Sequence, residues 1–207
     1  MTNLSSVWPF HPKMSIGIVA CGALATHIDA IVKEQSLDVT IYPLPPLLHN
    51  HPEKIAGEVD LLLTKISGSH SKCAVAYADC GTYGALDVVL QEHKVSRLGG
   101  NHCYDIFAGK EVIEKLMAEN AGTYFLTDYL VKSFNRSVIV ELGLDRRPEL
   151  RDDYFKNYSK VIWLAQSPTP DLEIAANAAA DLLGLPLEIR KVGEIGLTRE
   201  ILALVAD

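Results

Sequence analysis

The chain has 207 residues, 48% of them apolar and 22% charged, a composition that excludes a disordered or collagen-like protein and suits a single globular domain. Its 19 lysines and arginines against 26 aspartates and glutamates give a formal charge of −7, so the cationic surplus that non-specific nucleic-acid binding needs is missing. No apolar stretch reaches the roughly 18 residues of a membrane span, and residues 1–14 are polar without an apolar h-region, so neither membrane insertion nor export is expected and the location reads as cytoplasmic.

Strand-like runs alternate with helical patterns along the chain. Residues 15–21 form a short apolar run closed by Gly22, which suits a buried strand. Leu24, Ile28, Ile31 and Val32 then mark one helix face. Residues 37–44 read as a second strand, ended by Pro43, Pro45 and Pro46, and Pro52 stands where a helix starts. Ile55, Val59, Leu62, Leu63 and Ile66 supply that helix face, and Gly68 stops it. A third strand over 73–78, a helix over 83–93 and a short fourth strand over 96–98 are expected next.

Two helical segments follow, one carrying Val112, Ile113, Leu116 and Met117, the other Phe125, Tyr129, Leu130 and Phe134. Residues 138–142 suit strand or helix equally, and the mixed-charge run 145–153 reads as a solvated turn leading into a helix. Residues 161–165 are a strand, Thr169 caps a helix that runs to Gly184, 187–192 is a last strand and 198–205 a last helix. This alternation predicts an α/β fold, a mainly parallel sheet with helices on both faces and a helix-rich insertion over about 101–158.

In an open parallel sheet, ligands bind beyond the carboxyl ends of the strands. Three of the four cysteines fall at such ends, each near glycine: Ala20-Cys21-Gly22, Asp79-Cys80-Gly81-Thr82, and Gly99-Gly100-Asn101-His102-Cys103. Without export these thiols stay reduced. Cys21, Cys80 and Cys103 converging from three strand ends would make a soft, electron-rich site suited to zinc or an iron–sulfur cluster. Small buried residues in tight turns, or one nucleophilic cysteine with His102 as base, are the competing accounts. Cys73, inside a strand, reads as core.

His102 is a candidate ligand or support for one. Asp79 is a candidate for orienting a ligand, moving a proton or capping the next helix. Gly22, Gly81, Thr82 and Gly100 stand where a cofactor could approach the backbone, and the N–H groups of Gly81-Thr82-Tyr83-Gly84 could meet an anion at a helix start. Thr123, Tyr124, Thr127 and Asp128 form a polar stripe at helical spacing that marks either a boundary with solvent or a pocket, so Tyr124 and Asp128 are candidates for facing a pocket. His49 and His51 can point the same way in an extended segment and so bind metal or substrate, while His51 also occupies the cap position of the helix that follows.

Several phrases in order, Ala20-Cys21-Gly22-Ala23-Leu24, Leu48-His49-Asn50, Tyr77-Ala78-Asp79-Cys80-Gly81-Thr82, His102-Cys103-Tyr104, Gly122-Thr123-Tyr124-Phe125-Leu126-Thr127-Asp128 and Leu142-Gly143-Leu144-Asp145-Arg146, resemble a prokaryotic family catalogued as domain of unknown function 1638. The resemblance covers about residues 15–195. It implies no activity by itself, but genes of that family often lie beside those of corrinoid-dependent methyl-transfer systems. The expectation is therefore a zinc-dependent methyltransferase, or a component of such a system, acting on a small molecule, with any corrinoid brought by a partner protein. An iron–sulfur or metal-binding accessory protein and a metal-free small-molecule binding module are the alternatives.

Overall fold

The structure is a computed structural model and describes residues 15–206, so the polar segment 1–14, from which the lack of a leader was read, lies outside it. β1 (Ile16–Cys21) is buried at every position after the first, which is why its sequence runs apolar without alternating. α1 (Ala25–Glu34) turns Ile28, Ile31 and Val32 inward. β2 (Val39–Leu44) leads into a 3₁₀ turn, Pro46–Asn50, and then α2 (Pro52–Ile66), with Pro52 in its first turn, where the missing N–H costs nothing. β3 (Lys72–Ala76) and α3 (Ala85–His93) complete this part.

The three strands pair in parallel in the order β2-β1-β3. The fourth strand expected at 96–98 is only a parallel bridge between Val75 and Arg97. Beyond it, the chain turns away through Gly99 and Gly100 before a strand can extend.

α4 (Cys103–Ala108) and α5 (Lys110–Glu119) precede β4 (Thr123–Thr127). α6 (Asp128–Phe134) runs on as a π-helical turn, Asn135–Val140. α7 (Arg151–Phe155), β5 (Lys160–Ala165), α8 (Pro170–Leu183), β6 (Leu187–Lys191) and α9 (Ile195–Ala206) finish the chain. β4, β5 and β6 form a second parallel sheet in that order. The α/β class and the parallel pairing hold, but the strands divide between two three-stranded sheets instead of one.

The division was hidden because the middle of the chain contains β4. Phe125, Tyr129, Leu130 and Phe134 do not share one helical face: Phe125 lies in the strand and the others in α6. Their spacing straddles the strand–helix junction. The run Thr-Tyr-Phe-Leu-Thr has strong strand character, but β4 is covered on both faces, which erases the period-2 signal. Phe125 packs with Ile162, Leu164, Ile113 and Leu116, whereas Leu126 packs on the other side with Trp163 and α8. Thr127 ends the strand and caps α6, its hydroxyl oxygen accepting the Leu130 N–H at 3.3 Å. Of the residues left open between strand and helix, 138–140 fall in the π-helical turn.

The core of the first sheet includes α2 and α3, and α9 returns to it with Leu197, Ile201 and Leu204. α4 serves both sheets. Ile106 and Phe107 join the first core, while Tyr104 and Ala108 pack against the cluster on the second sheet. Among the described residues no helix is long and apolar enough to cross a membrane.

Candidate functional site

β1 lies between β2 and β3, so the chain leaves the ends of β1 and β3 toward opposite sides. The crevice this opens at their carboxyl ends is the topological switch point of the first sheet. Cys21 ends β1 there, paired in register with Leu44 of β2. The next residue is Gly22, and a Cβ at that position would run into the Leu44 carbonyl and lie 2.7 Å from the Pro46 ring. Its bare backbone lets the 3₁₀ turn cross directly over the end of β1. That crossing delivers His49 to Cys21, with Sγ 3.8 Å from Nε2 and 3.9 Å from Nδ1.

Cys80 follows β3 in a turn wound around Asp79. The Thr82 hydroxyl donates to Asp79 Oδ1 at 2.7 Å and the Gly84 N–H to the same oxygen at 3.1 Å. The N–H groups of Gly81 and Tyr83 donate to Oδ2, each at 3.2 Å. The anion expected at this glycine-rich turn is thus the chain's own carboxylate. Desolvation works against the charge, but the Thr82 and backbone donors outweigh it and hold Asp79 below the ordinary carboxylate value. Asp79 and Thr82, expected to move protons and to bind a cofactor, are committed to shaping the loop. Cys80 itself is held at φ +50°, and its N–H donates to the Asn101 carbonyl at 2.7 Å. That bond sets the start of α4, and with it Cys103, beside the Cys80 turn.

The three thiols sense one another. Burial, then the neighbouring charges of Cys80 and Cys21, push Cys103 well above the ordinary thiol value. Burial pushes Cys21 up to about 11, against bonds from the backbone of Ala23 and Leu24. Burial also disfavours a charged His49, yet the Cys80 thiol beside it more than compensates and holds its pKa above the ordinary imidazole value. Tyr77, one residue beyond β3, stacks on His49 with ring centroids 5.9 Å apart and planes 19° apart. Its hydroxyl lies beside Cys21, fully buried and without a hydrogen-bond partner among the described residues.

All four cysteines are free thiols. Among the described residues no three His, Cys, Asp or Glu side chains stand close enough to hold an ion as placed. The chemistry of the donors nevertheless fits a soft cation: three thiols and an imidazole are a zinc set. The orphaned Tyr77 hydroxyl fits it as well, because an ionised Cys21 is the acceptor that hydroxyl lacks. Loading would require the thiols to rotate inward.

The cluster opens into a cavity of about 300 Å³. Cys80, Gly81, His49, His102, Cys103 and Tyr104 form one wall, and Tyr124, Thr127, Tyr129, Leu130, Ser137 and Val138 form the other. Among the described residues, apart from the histidines and thiols, no ionisable group other than tyrosine lines it. The second wall draws on the π-helical turn, a geometry that recurs at functional sites. His102 is exposed at the rim and stacks on Tyr104, with centroids 6.0 Å apart.

The polar stripe on 123–128 resolves differently from its helical reading. Tyr124 and Thr127 reach the cavity, whereas the Thr123 hydroxyl donates to the Asn120 carbonyl and Asp128 is buried. Asp128 accepts from Trp163 Nε1 at 2.9 Å, the Gln166 N–H at 3.1 Å and the Ser167 N–H at 2.8 Å, so it secures the second sheet and does not line the cavity. Gly100 gives room to the chain itself, since a Cβ there would lie 2.8 Å from Asp105 Cβ. Cys73 is half-buried in β3 and outside the cluster. A second cavity, of about 330 Å³, lies toward the start of β3, and its histidines are already engaged, His70 with Tyr42 and His93 with Asp60.

Sequence reasoning left His49 open between a cap or surface role and a ligand, and it passed over Tyr77. The proline run before His49 was the signal: Pro43, Pro45 and Pro46 stiffen the segment that crosses β1. Tyr77 gave no signal, since an aromatic residue after a buried strand reads as packing.

Fold and cavity together define an α/β protein of two parallel sheets with a thiol-lined cleft at the switch point of the first. The chain belongs to the family described as "Protein of unknown function (DUF1638)", which matches residues 43–201. The match takes in His49, Tyr77, Cys80, Cys103 and Tyr124 and begins beyond Cys21. No curated protein and no solved structure matches the chain.

Proposed function

We propose that this protein is a zinc-dependent methyl-transfer protein, or a component of a corrinoid-dependent methyl-transfer system, acting on a small molecule held in the cleft. The observation that carries the reading is that Cys80 and Cys103, from the turn after β3 and the start of α4, line one cavity together with His49, whose ring lies 3.8 Å from the buried Cys21 sulfur at the end of β1. Scattered core cysteines have no reason to share this placement. Bound zinc lowers the pKa of a thiol or water at an open position and so supplies a nucleophile at neutral pH. The chain's own residues do the rest. The Tyr77 hydroxyl would donate to an ionised Cys21 sulfur, Tyr124, Tyr129 and Leu130 would cover the body of the substrate, and His102 would move a proton at the rim. Any corrinoid would come with a partner protein.

The deciding measurement is metal content after anaerobic purification, for the wild type and four single Cys→Ser variants. Near-stoichiometric zinc is expected, lost in Cys21→Ser, Cys80→Ser and Cys103→Ser and kept in Cys73→Ser, because a hydroxyl stays protonated where a thiol ionises on a cation. A brown protein containing iron would favour the iron–sulfur accessory reading. Wild-type protein with no metal would overturn the zinc reading. A metal-free site would then lead, with Cys80 as nucleophile and His49 as its base, favoured by the contact between those two side chains.

A further inference from the structure

We infer that the cleft takes an uncharged, flat, aromatic molecule that carries a hydrogen-bond acceptor. The inference rests on reading the cleft as the substrate site and is independent of what the thiols hold. Its first basis is charge. Among the described residues, no aspartate, glutamate, lysine or arginine lines the cavity, although such residues make up 22% of the chain. An anion inside could pair only with an imidazole, and a cation only with an ionised thiol. Burying a charge without a proper partner is costly, so both kinds of ion are disfavoured. The charged groups nearby are exposed. Arg136 donates to the Tyr129 hydroxyl at 3.2 Å, and Glu141 lines an adjoining hollow that shares Tyr124 and Ser137.

Its second basis is the rings. Tyr104 stands on one wall, Tyr124 and Tyr129 on the other. Tyr104 is held between His102 and Phe125, with ring centroids 6.0 and 5.3 Å away. Tyr124 meets Phe155 at 5.4 Å and Tyr158 at 5.2 Å, both edge-on. Rings fixed by their neighbours offer faces and edges that an aromatic guest can stack on and a saturated ring cannot. The volume of about 300 Å³ is at the low end for small-molecule pockets, which run to about 1,000 Å³, and so suits a single substituted ring. Donors wait for an acceptor on that ring. Burial pushes Tyr124 up to about 12, so its hydroxyl keeps its proton at neutral pH. The Thr127 oxygen already accepts the Leu130 N–H, which leaves its own proton to donate.

Titration of the full chain with benzyl alcohol, benzoate, benzylammonium and cyclohexylmethanol tests this without metal or turnover. Binding is read from the NMR ring signals of His49 and His102, which both line the cavity. Benzyl alcohol should bind at least about tenfold more tightly than either ion. It should bind about threefold or more tightly than cyclohexylmethanol, which matches it in size and polarity but is not flat. Tyr124→Leu should shrink that second preference, and Tyr124→Phe should keep it while weakening benzyl alcohol through the lost donor. Leu130→Trp, which fills the cavity, should abolish binding of all four. Either ion or cyclohexylmethanol binding as tightly as benzyl alcohol, no ring shift with any probe, or a flat-ring preference unchanged in Tyr124→Leu would overturn the inference. The zinc reading stands or falls apart from it. Metal-free protein that prefers benzyl alcohol would sink the zinc reading alone, and zinc-loaded protein that prefers an ion would sink this inference alone.

Discussion

The carboxyl ends of the two sheets face opposite fates. In the first sheet the order β2-β1-β3 creates a switch point, and the chain leaves thiols, an imidazole and a cavity there. In the second, β4, β5 and β6 follow one another in sequence, so no crevice opens between diverging crossovers. The strand end is sealed instead. Asp128 begins α6 just beyond β4 and accepts three N–H bonds from β5 and the residues after it, while its own N–H donates to Gln166 Oε1 at 2.8 Å. Both ends carry an aspartate after a strand, and in both the carboxylate is spent on the backbone. The difference lies in what the topology leaves uncovered. A polar residue beyond a strand marks a site only where the strand order opens a crevice.

The largest expected effect tests the sealed end. Asp128→Ala leaves two buried donors, Trp163 Nε1 and the Gln166 N–H, and the partly buried Ser167 N–H without an acceptor. At about 1–3 kcal/mol for each unsatisfied group, partly offset by water, it should cost about 3–5 kcal/mol in urea unfolding at neutral pH. If the two ends are as separate in role as they are in structure, the same variant should leave the alkylation rates of Cys80 and Cys103 at their wild-type values. A large change in those rates with little loss of stability would break the comparison and return Asp128 to the site.

The open end should betray itself at alkaline pH. Cys21 is pushed up to about 11 by burial, so the folded state holds this proton more tightly than the unfolded state does. The sign follows: the contribution is intact below the ordinary thiol value near 9 and is lost as pH rises toward 11. For metal-free protein the loss attributable to Cys21 is roughly 2–3 kcal/mol. Urea melts across this range should show a steeper decline for the wild type than for Cys21→Ala. Parallel slopes would mean that Cys21 ionises as freely in the fold as outside it.

How much of this was legible follows from the same contrast. The first sheet announced itself, because β1 is a short apolar run closed by glycine, β3 is another short apolar run, and the intervening helices have clean apolar faces. The switch-point filter then placed Cys21 and Cys80 after β1 and β3 without knowledge of strand order, whereas Cys103, expected after a fourth strand, begins α4 beyond a single bridge. The second sheet was half hidden. β4 is buried on both faces, and its junction with α6 mimics a helical repeat, so Tyr124, Thr127 and Asp128 were grouped on a face that does not exist. The roles of Asp79 and Asp128 were illegible for another reason. Whether a carboxylate meets a ligand or its own backbone depends on N–H directions that residue identity does not carry.

The smallest effect in stability is the most telling about the site, because it uses matched substitutions at close approaches in the two halves. Gly22→Ala would drive a methyl group into the Leu44 carbonyl and the Pro46 ring, and Gly122→Ala would place one 2.7 Å from the Asn157 carbonyl at the start of the second sheet. Each should cost about 1–3 kcal/mol, the range for overpacking a close contact. Thermal melts would therefore not tell them apart. The His49 ring would, because Gly22 is what lets the 46–50 turn lie across β1. In Gly22→Ala the turn must lift, taking His49 from Cys21 and Cys80. Its pKa, followed by NMR in metal-free protein, should move away from the raised value that the Cys80 contact maintains. In Gly122→Ala it should stay where it is. Equal His49 titrations in both variants would show that the imidazole is held by something other than the crossing over Gly22, and the account of how the backbone builds this site would have to change.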